Sequence, residues 1–294
     1  MRNGPLAVVA AAVLWGTGGT AGLLITADPV SVAAARLVIG GVALLALARG
    51  VTRLIRPDLL LAAVAVAAYQ LCFFAAISRT GVAIGTVVAI GSGPVFTGLL
   101  GWILHGQAPS RRWALATTSA IAGCAALIVG GGAEAGRQAV SGILFALLGG
   151  LLYAFYAVTA ARRISAGAES TAVMGLLFGG AAVVMLPVLL WTGPGWLAEP
   201  RGLVGALYLG LGTTALAYFL YGKGLRRTPV ATAATLALAE PAVAALLGLV
   251  VLRETLTPLS VGGLVLLGAS LVAVAVPERE PRRAEAGVGG ERAG

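Results

Sequence analysis

Glu240 and Arg36 are the two side chains whose chemistry is hardest to reconcile with their surroundings. Glu240 stands directly before Pro241, about ten residues into an apolar run, roughly 15 Å along a helix that rises ~1.5 Å per residue. An exposed carboxylate at that depth in a bilayer costs about 2.5–3.5 kcal/mol on insertion scales, so Glu240 must face a cavity or a partner. An acid placed there without a fixed counter-ion can exchange a proton as its surroundings change. Glu240 is therefore a candidate for both substrate binding and coupling, and the competing reading is a structural cap on a broken helix. Arg36 is the one guanidinium well inside an apolar run. It keeps its proton, so it must reach an interface, bond carbonyls, pair with Asp28 or Glu240, or receive a substrate carboxylate.

Other polar groups at similar depth are Gln70, an amide for an interhelical hydrogen bond or a ligand, and Ser92 in the run Gly91-Ser92-Gly93-Pro94. Trp15, Tyr69, Phe73, Tyr153, Tyr156, Tyr218 and Tyr221 also fall within apolar runs. The pairs Tyr69/Phe73 and Tyr153/Tyr156 are spaced to share a helix face, so they suit an amphipathic pocket. Tyr221, Trp102, Trp113 and Trp191 lie near the ends of runs, where such rings more often anchor an interface. The candidate binding set is Trp15, Arg36, Gln70, Ser92, Tyr153, Tyr218 and Glu240.

Enzymatic constellations are missing. A single histidine, His105, leaves multi-histidine metal sites and Ser-His or Cys-His pairs without material. The glycine-rich stretch from Gly130 to Gly136 lacks the Lys-Ser/Thr of a phosphate loop. Cys72 and Cys124 read as apolar fillers on different helices. No catalytic residue, metal or cofactor is expected, and the chain is not read as an enzyme.

The elements that position these groups are ten apolar stretches of about 20 residues each, the length needed to cross ~30 Å of hydrocarbon as a helix. They are read at 5–25, 30–48, 58–78, 82–104, 112–130, 140–161, 170–191, 202–222, 230–252 and 257–276. With 59% apolar and 11% charged residues and a mean hydropathy of +0.97, too little polar surface remains to coat a soluble globule. The runs are also twice the length of a barrel strand and do not alternate. The first run is too long for the apolar part of a secretory signal and is kept as a span.

The formal net charge of +9 does not call for nucleic acid, because its placement has another cause. With the N-terminus inside, fifteen of the 20 basic residues fall in inner segments and four outside, the bias of the positive-inside rule. The expectation is a multi-pass protein of the cell inner membrane with both termini cytoplasmic, its partners the lipid bilayer and a small molecule; a homodimer is compatible. Residues 277–294 have little to bury and read as a disordered cytoplasmic tail.

A shift of 147 residues lays Pro94, Leu99, Leu100 and Gly101 over Pro241, Leu246, Leu247 and Gly248, and Arg79 over Arg226. The matches fall at equivalent places in two sets of five spans, and an odd number of spans per unit inverts one unit against the other. The expected fold is all-α, with ten transmembrane helices as two inverted five-helix repeats, 1–133 and 138–276, around a central cavity. Each mid-span proline removes the hydrogen bond to the carbonyl four residues back, at Ile90 and Ala237, so both helices are expected to bend. Paired interruptions of this kind mark midplane binding sites in transporters built from inverted repeats. Gly18-x3-Gly22 and Gly175-x3-Gly179 have the small-residue spacing of close helix contacts.

Taken together, Leu14-Trp15-Gly16-Thr17, Ala35-Arg36-Leu37, Glu240-Pro241 and Arg253-Glu254-Thr255-Leu256-Thr257 resemble the motifs of the EamA family of the drug/metabolite transporter superfamily. The likeness covers about residues 5–276. One departure is His105-Gly106-Gln107, where a Gly-Glu pair is usual. The resemblance implies a ten-helix basket with a cavity lined chiefly by spans one, three, four, six, eight and nine, and spans five and ten peripheral. It implies secondary transport by alternating access, exporting small metabolites, with an amino-acid-like substrate preferred. The alternatives are drug or nucleoside efflux, or a passive channel-like facilitator.

Overall fold

The computed structural model describes residues 3–22, 25–106, 108–130, 139–251 and 256–276. Arg2, Gln107, the Gly131–Gly136 stretch, Arg253-Glu254-Thr255 and the tail 277–294 lie outside the described residues.

Among the described residues, ten helices are long and apolar enough to cross a membrane. They are α1 (Asn3–Gly22), α2 (Pro29–Leu47), α3 (Pro57–Thr80), α4 (Val82–His105) and α5 (Arg111–Gly130). The second five are α6 (Ala139–Ser165), α7 (Ser170–Thr192), α8 (Pro200–Leu225), α9 (Val230–Val251) and α10 (Pro258–Ala275). The boundaries fall within a few residues of those read from hydropathy; α6 extends four residues further, to Ser165.

Local sequence explains where several helices start. Asp28 precedes Pro29 and accepts hydrogen bonds from the Val30 and Ser31 N–H groups, at 2.9 and 3.0 Å, satisfying donors that the first turn would leave unpaired. Asp28 therefore caps α2 and is not the partner of Arg36. Glu169 caps α7 in the same way through Thr171 and Ala172. Partial burial pushes the Glu169 carboxyl up, but these hydrogen bonds outweigh it and hold the group below the usual carboxylate range. Pro258 follows Thr257, whose hydroxyl receives the Ser260 N–H.

The interior mixes many small residues with a few large ones such as Tyr156, Phe178 and Met174, and many large apolar side chains also point outward. Ala11, Ala34, Ala62, Ala120, Ala157 and Ala181 are fully buried, whereas Trp191, Val140, Val250 and Leu115 are more than 70% exposed. Small buried residues suit close helix contacts inside, and exposed apolar ones suit lipid outside. α2 packs along α7, where a Cβ at Gly41 would collide with the Phe178 carbonyl and one at Gly175 with Ala48. Gly179 also meets Leu45, so the second small-residue stripe is a contact; Gly18 makes only ordinary contacts and Gly22 faces open space.

The other pairings come in matched sets. α5 packs along α10; α6 is held by α3 and α4, and α1 by α8 and α9; α3 touches α7, and α8 touches α2. At one end, Arg163 of α6 grips Asp58 of α3 through two hydrogen bonds of 2.9 and 2.7 Å.

Two helices are irregular. α8 contains a π-helical stretch, Tyr208–Leu216, in which the Thr213 and Thr214 hydroxyls both donate to the Leu209 carbonyl. α9 is interrupted at Ala237 and Leu238, between Val230–Leu236 and Ala239–Val251. The Ala237 carbonyl, which Pro241 cannot serve, instead accepts the Glu240 N–H at 3.0 Å. The two prolines therefore act differently, because α4 runs as one helix from Val82 to His105 through Pro94. The first segment of α9 packs on α4, and the second packs chiefly on α1.

Candidate functional site

α1 approaches α9 closely because Gly16 has no side chain: a Cβ there would sit 2.7 Å from the Glu240 carbonyl oxygen. That contact brings Trp15 beside Glu240. Both line a central cavity of about 60 Å³, together with Arg36 of α2, Tyr69 of α3, Tyr153 of α6 and Tyr218 of α8. Ala89, Ile90 and Pro94 of α4, and Ala234 and Ala237 of α9, complete the wall. Both segments of interest on α4 and α9, around Pro94 and around the break before Pro241, thus face the same space.

Five of the seven sequence-selected residues, Trp15, Arg36, Tyr153, Tyr218 and Glu240, meet at this cavity. Gln70 stands behind it, buried at 6% exposure, and its Oε1 accepts a hydrogen bond from Arg36 Nη2 at 3.1 Å. Ser92 is turned elsewhere: its hydroxyl donates to the Ala89 carbonyl and packs against Gly150 of α6. Glu240 and Arg36 share the cavity without forming an ion pair.

Aromatic rings on and behind the wall pack against one another. Trp15 lies 4.9 Å from Tyr218 and 5.4 Å from Tyr221, and Tyr69 lies 6.1 Å from Tyr153. Tyr153 and Tyr221 join through their hydroxyls at 3.1 Å. Tyr221 is fully buried, so it is a core residue and not the interface anchor that its place near the end of a run suggested. The π-helical stretch upstream changes the phase of α8, and nothing in the apolar pattern of the run announces it.

Two donors at the cavity have no partner. Trp15 Nε1 and Arg36 Nε are buried and make no hydrogen bond in the protein. Buried polar groups are satisfied in the great majority of cases, so two orphan donors on residues that line one space mark where an acceptor belongs. Chemically, the cavity offers N–H donors and a cation at Trp15 and Arg36, a carboxyl group at Glu240, and ring faces that attract a cation. At about 60 Å³ it is roomy enough for water and far below the about 300–1,000 Å³ of an ordinary ligand pocket.

The EamA-like transporter family profile matches residues 2–129 and again 140–276. The chain is similar to the uncharacterized transporter YwfM of Bacillus subtilis (strain 168), with 38% identity over 289 residues, 96% of either chain. It is also similar to the threonine/homoserine exporter RhtA of Escherichia coli (strain K12), 33% identical over 149 residues, 48% of this chain and 46% of that one. A crystal structure of a protein 22% identical in sequence superposes with a TM-score of 0.79, covering 92% of this chain and 95% of that one.

Proposed function

The chain belongs to the EamA-like transporter family, and from that premise we propose that this membrane transporter exports a small zwitterionic metabolite, amino-acid-like, by alternating access. The observation that carries the reading is the pair of orphan donors, Trp15 Nε1 and Arg36 Nε, on the wall of a cavity that also holds the carboxyl of Glu240. In this reading a substrate carboxylate takes both donors, with the strength of a charge-assisted hydrogen bond. The substrate ammonium sits against Glu240 and the faces of Trp15 and Tyr218. Gln70 holds Arg36 in place from behind. RhtA, which matches half of this chain, is named as an exporter of threonine and homoserine, two molecules with this charge pattern.

Alternating access accounts for the size of the cavity. Ordinary ligand pockets measure about 300–1,000 Å³, so a site of about 60 Å³ must widen to admit substrate and close behind it. The break at Ala237 and Leu238 and the π-helical stretch Tyr208–Leu216 are places where the backbone ladder is already irregular. The matched packing of α1 through α5 against α6 through α10 supports two inverted halves, 1–133 and 138–276, rocking about this site. The charge bias of the loops supports both termini on the cytoplasmic face of the cell inner membrane.

The test is equilibrium binding of radiolabelled threonine to purified protein, with unlabelled competitors. Homoserine should compete, and threonine methyl ester and N-acetylthreonine, each lacking one charge, should not. Nucleosides or cationic drugs that compete when amino acids do not would replace the zwitterion with those substrates. Flux through liposomes that never saturates would mark a passive facilitator.

A further inference from the structure

A second, larger cavity of about 730 Å³ lies at the end of the bundle where α4, α6, α8 and α10 finish and α1, α5 and α9 begin. It shares no lining residue with the central cavity. Arg112, Arg162 and Arg227 line it, and among the described residues no aspartate or glutamate does. Among the described residues none of the three forms an ion pair. Arg112 is steadied by a 2.7 Å hydrogen bond to the Ala273 carbonyl at the end of α10.

Two buried donors on this wall are also without partners. Thr228 is 4% exposed, and neither its hydroxyl nor Trp113 Nε1 makes a hydrogen bond. Room for the Trp113 ring comes from Gly98, where a Cβ would sit 2.5 Å from the indole. Three guanidiniums around one cavity repel one another, and orphan donors beside them add an unmet demand for an acceptor. One anion with several oxygens relieves both, and phosphate suits the planar donor fork of arginine. The rest of the wall is largely apolar, with Val158, Leu225, Val230 and Val274.

We propose that this cavity is a binding site for a phosphate-bearing anion, either the headgroup of an anionic phospholipid or a soluble phosphate. Arg112, Arg162 and Arg227 take its charge, and Trp113 and Thr228 donate to its oxygens. Basic pockets between helices on the cytoplasmic side are a recurrent setting for such headgroups, and the apolar wall would accommodate the first part of an acyl chain. The site is independent of the zwitterion reading of the central cavity.

The experiment uses the full chain, delipidated in neutral detergent. Native mass spectrometry compares phosphatidylglycerol with phosphatidylcholine of the same acyl chains, and a thermal-shift titration uses glycerol 1-phosphate. Preference for phosphatidylglycerol with glycerol 1-phosphate inert assigns a lipid headgroup; a response to glycerol 1-phosphate assigns a soluble phosphate. In either case Arg162→Gln/Arg227→Gln should weaken binding at least about tenfold, and Trp113→Phe, which keeps the ring and removes the N–H, by a smaller measurable factor. Should the double variant fail to fold, Arg227→Gln alone and Trp113→Phe carry the test. Equal retention of both lipids with no phosphate response would overturn the proposal, as would variants that bind like the unaltered protein.

Discussion

Replacing Gln70 by Leu removes the acceptor that holds Arg36 while keeping most of the side-chain volume. In the intact protein one guanidinium nitrogen, Nη2, is bonded to Gln70, and another, Nε, is buried without a partner. Gln70→Leu therefore leaves the charged group with a second unmet donor. A hydrogen bond to a charged group contributes about 1.5–3 kcal/mol. Arg36 is only half-buried and water in the cavity can replace part of the bond, so the lower end, about 1.5 kcal/mol, is the working value. That corresponds to a fall in melting temperature of about 3–6 °C on the scaling of domains of ~200 residues, and to about tenfold weaker substrate binding if the energy is lost from the bound geometry. The expected structural consequence is a swing of Arg36 toward Glu240, which shares its cavity. Scanning fluorimetry and competition binding on purified protein measure both quantities, and Gln70→Glu serves as a contrast that should raise the melting temperature and still weaken binding. A Gln70→Leu protein that melts and binds like the unaltered one would refute the positioning role of Gln70.

Three further outcomes follow from the packing. A methyl group at Gly41 lands on the Phe178 carbonyl, so Gly41→Ala should force α2 from α7 at a cost of about 1–3 kcal/mol, read as a lower melting temperature and reduced yield. Tyr221→Phe leaves the Tyr153 hydroxyl without its 3.1 Å partner and should destabilise by about 1 kcal/mol, visible in the same melt. Cysteines placed at Gly195 and Gly167 in a background lacking Cys72 and Cys124 should label with an impermeant maleimide at Gly195 only; the reverse would invert the proposed topology.

The spans were legible because about 20 apolar residues in a row have few other uses, and Arg36, Glu240 and Trp15 stood out because their polarity contradicts that setting. Their partners were harder to read. Asp28 precedes Pro29, a cap signal that competes with pairing to Arg36, and the cap is what forms. Gln70 was recognised as polar at depth, but its place behind Arg36 depends on how α2 meets α3. Ser92 was selected for its hydroxyl, and a helix gives such a hydroxyl a nearby carbonyl, here that of Ala89, so the group is satisfied locally. The π-helical stretch in α8 arises from the Thr213 and Thr214 hydroxyls sharing one carbonyl, which hydropathy does not register. Arg112, Arg162 and Arg227 are among the fifteen inner basic residues of the charge bias, and their convergence on one cavity appears only after the helix ends are brought together.

The proposal that a zwitterion moves through this cavity, with Glu240 as the candidate for coupling to a proton, is tested most directly at Glu240. Gln keeps the shape of the side chain and its hydrogen-bonding capacity and removes the titration. Proteoliposomes carrying the unaltered protein should concentrate labelled threonine when a pH gradient is imposed, whereas Glu240→Gln should bring threonine only to equilibrium, with or without the gradient. A Glu240→Gln protein that still concentrates threonine with unaltered pH dependence would make Glu240 a structural residue and contradict the account.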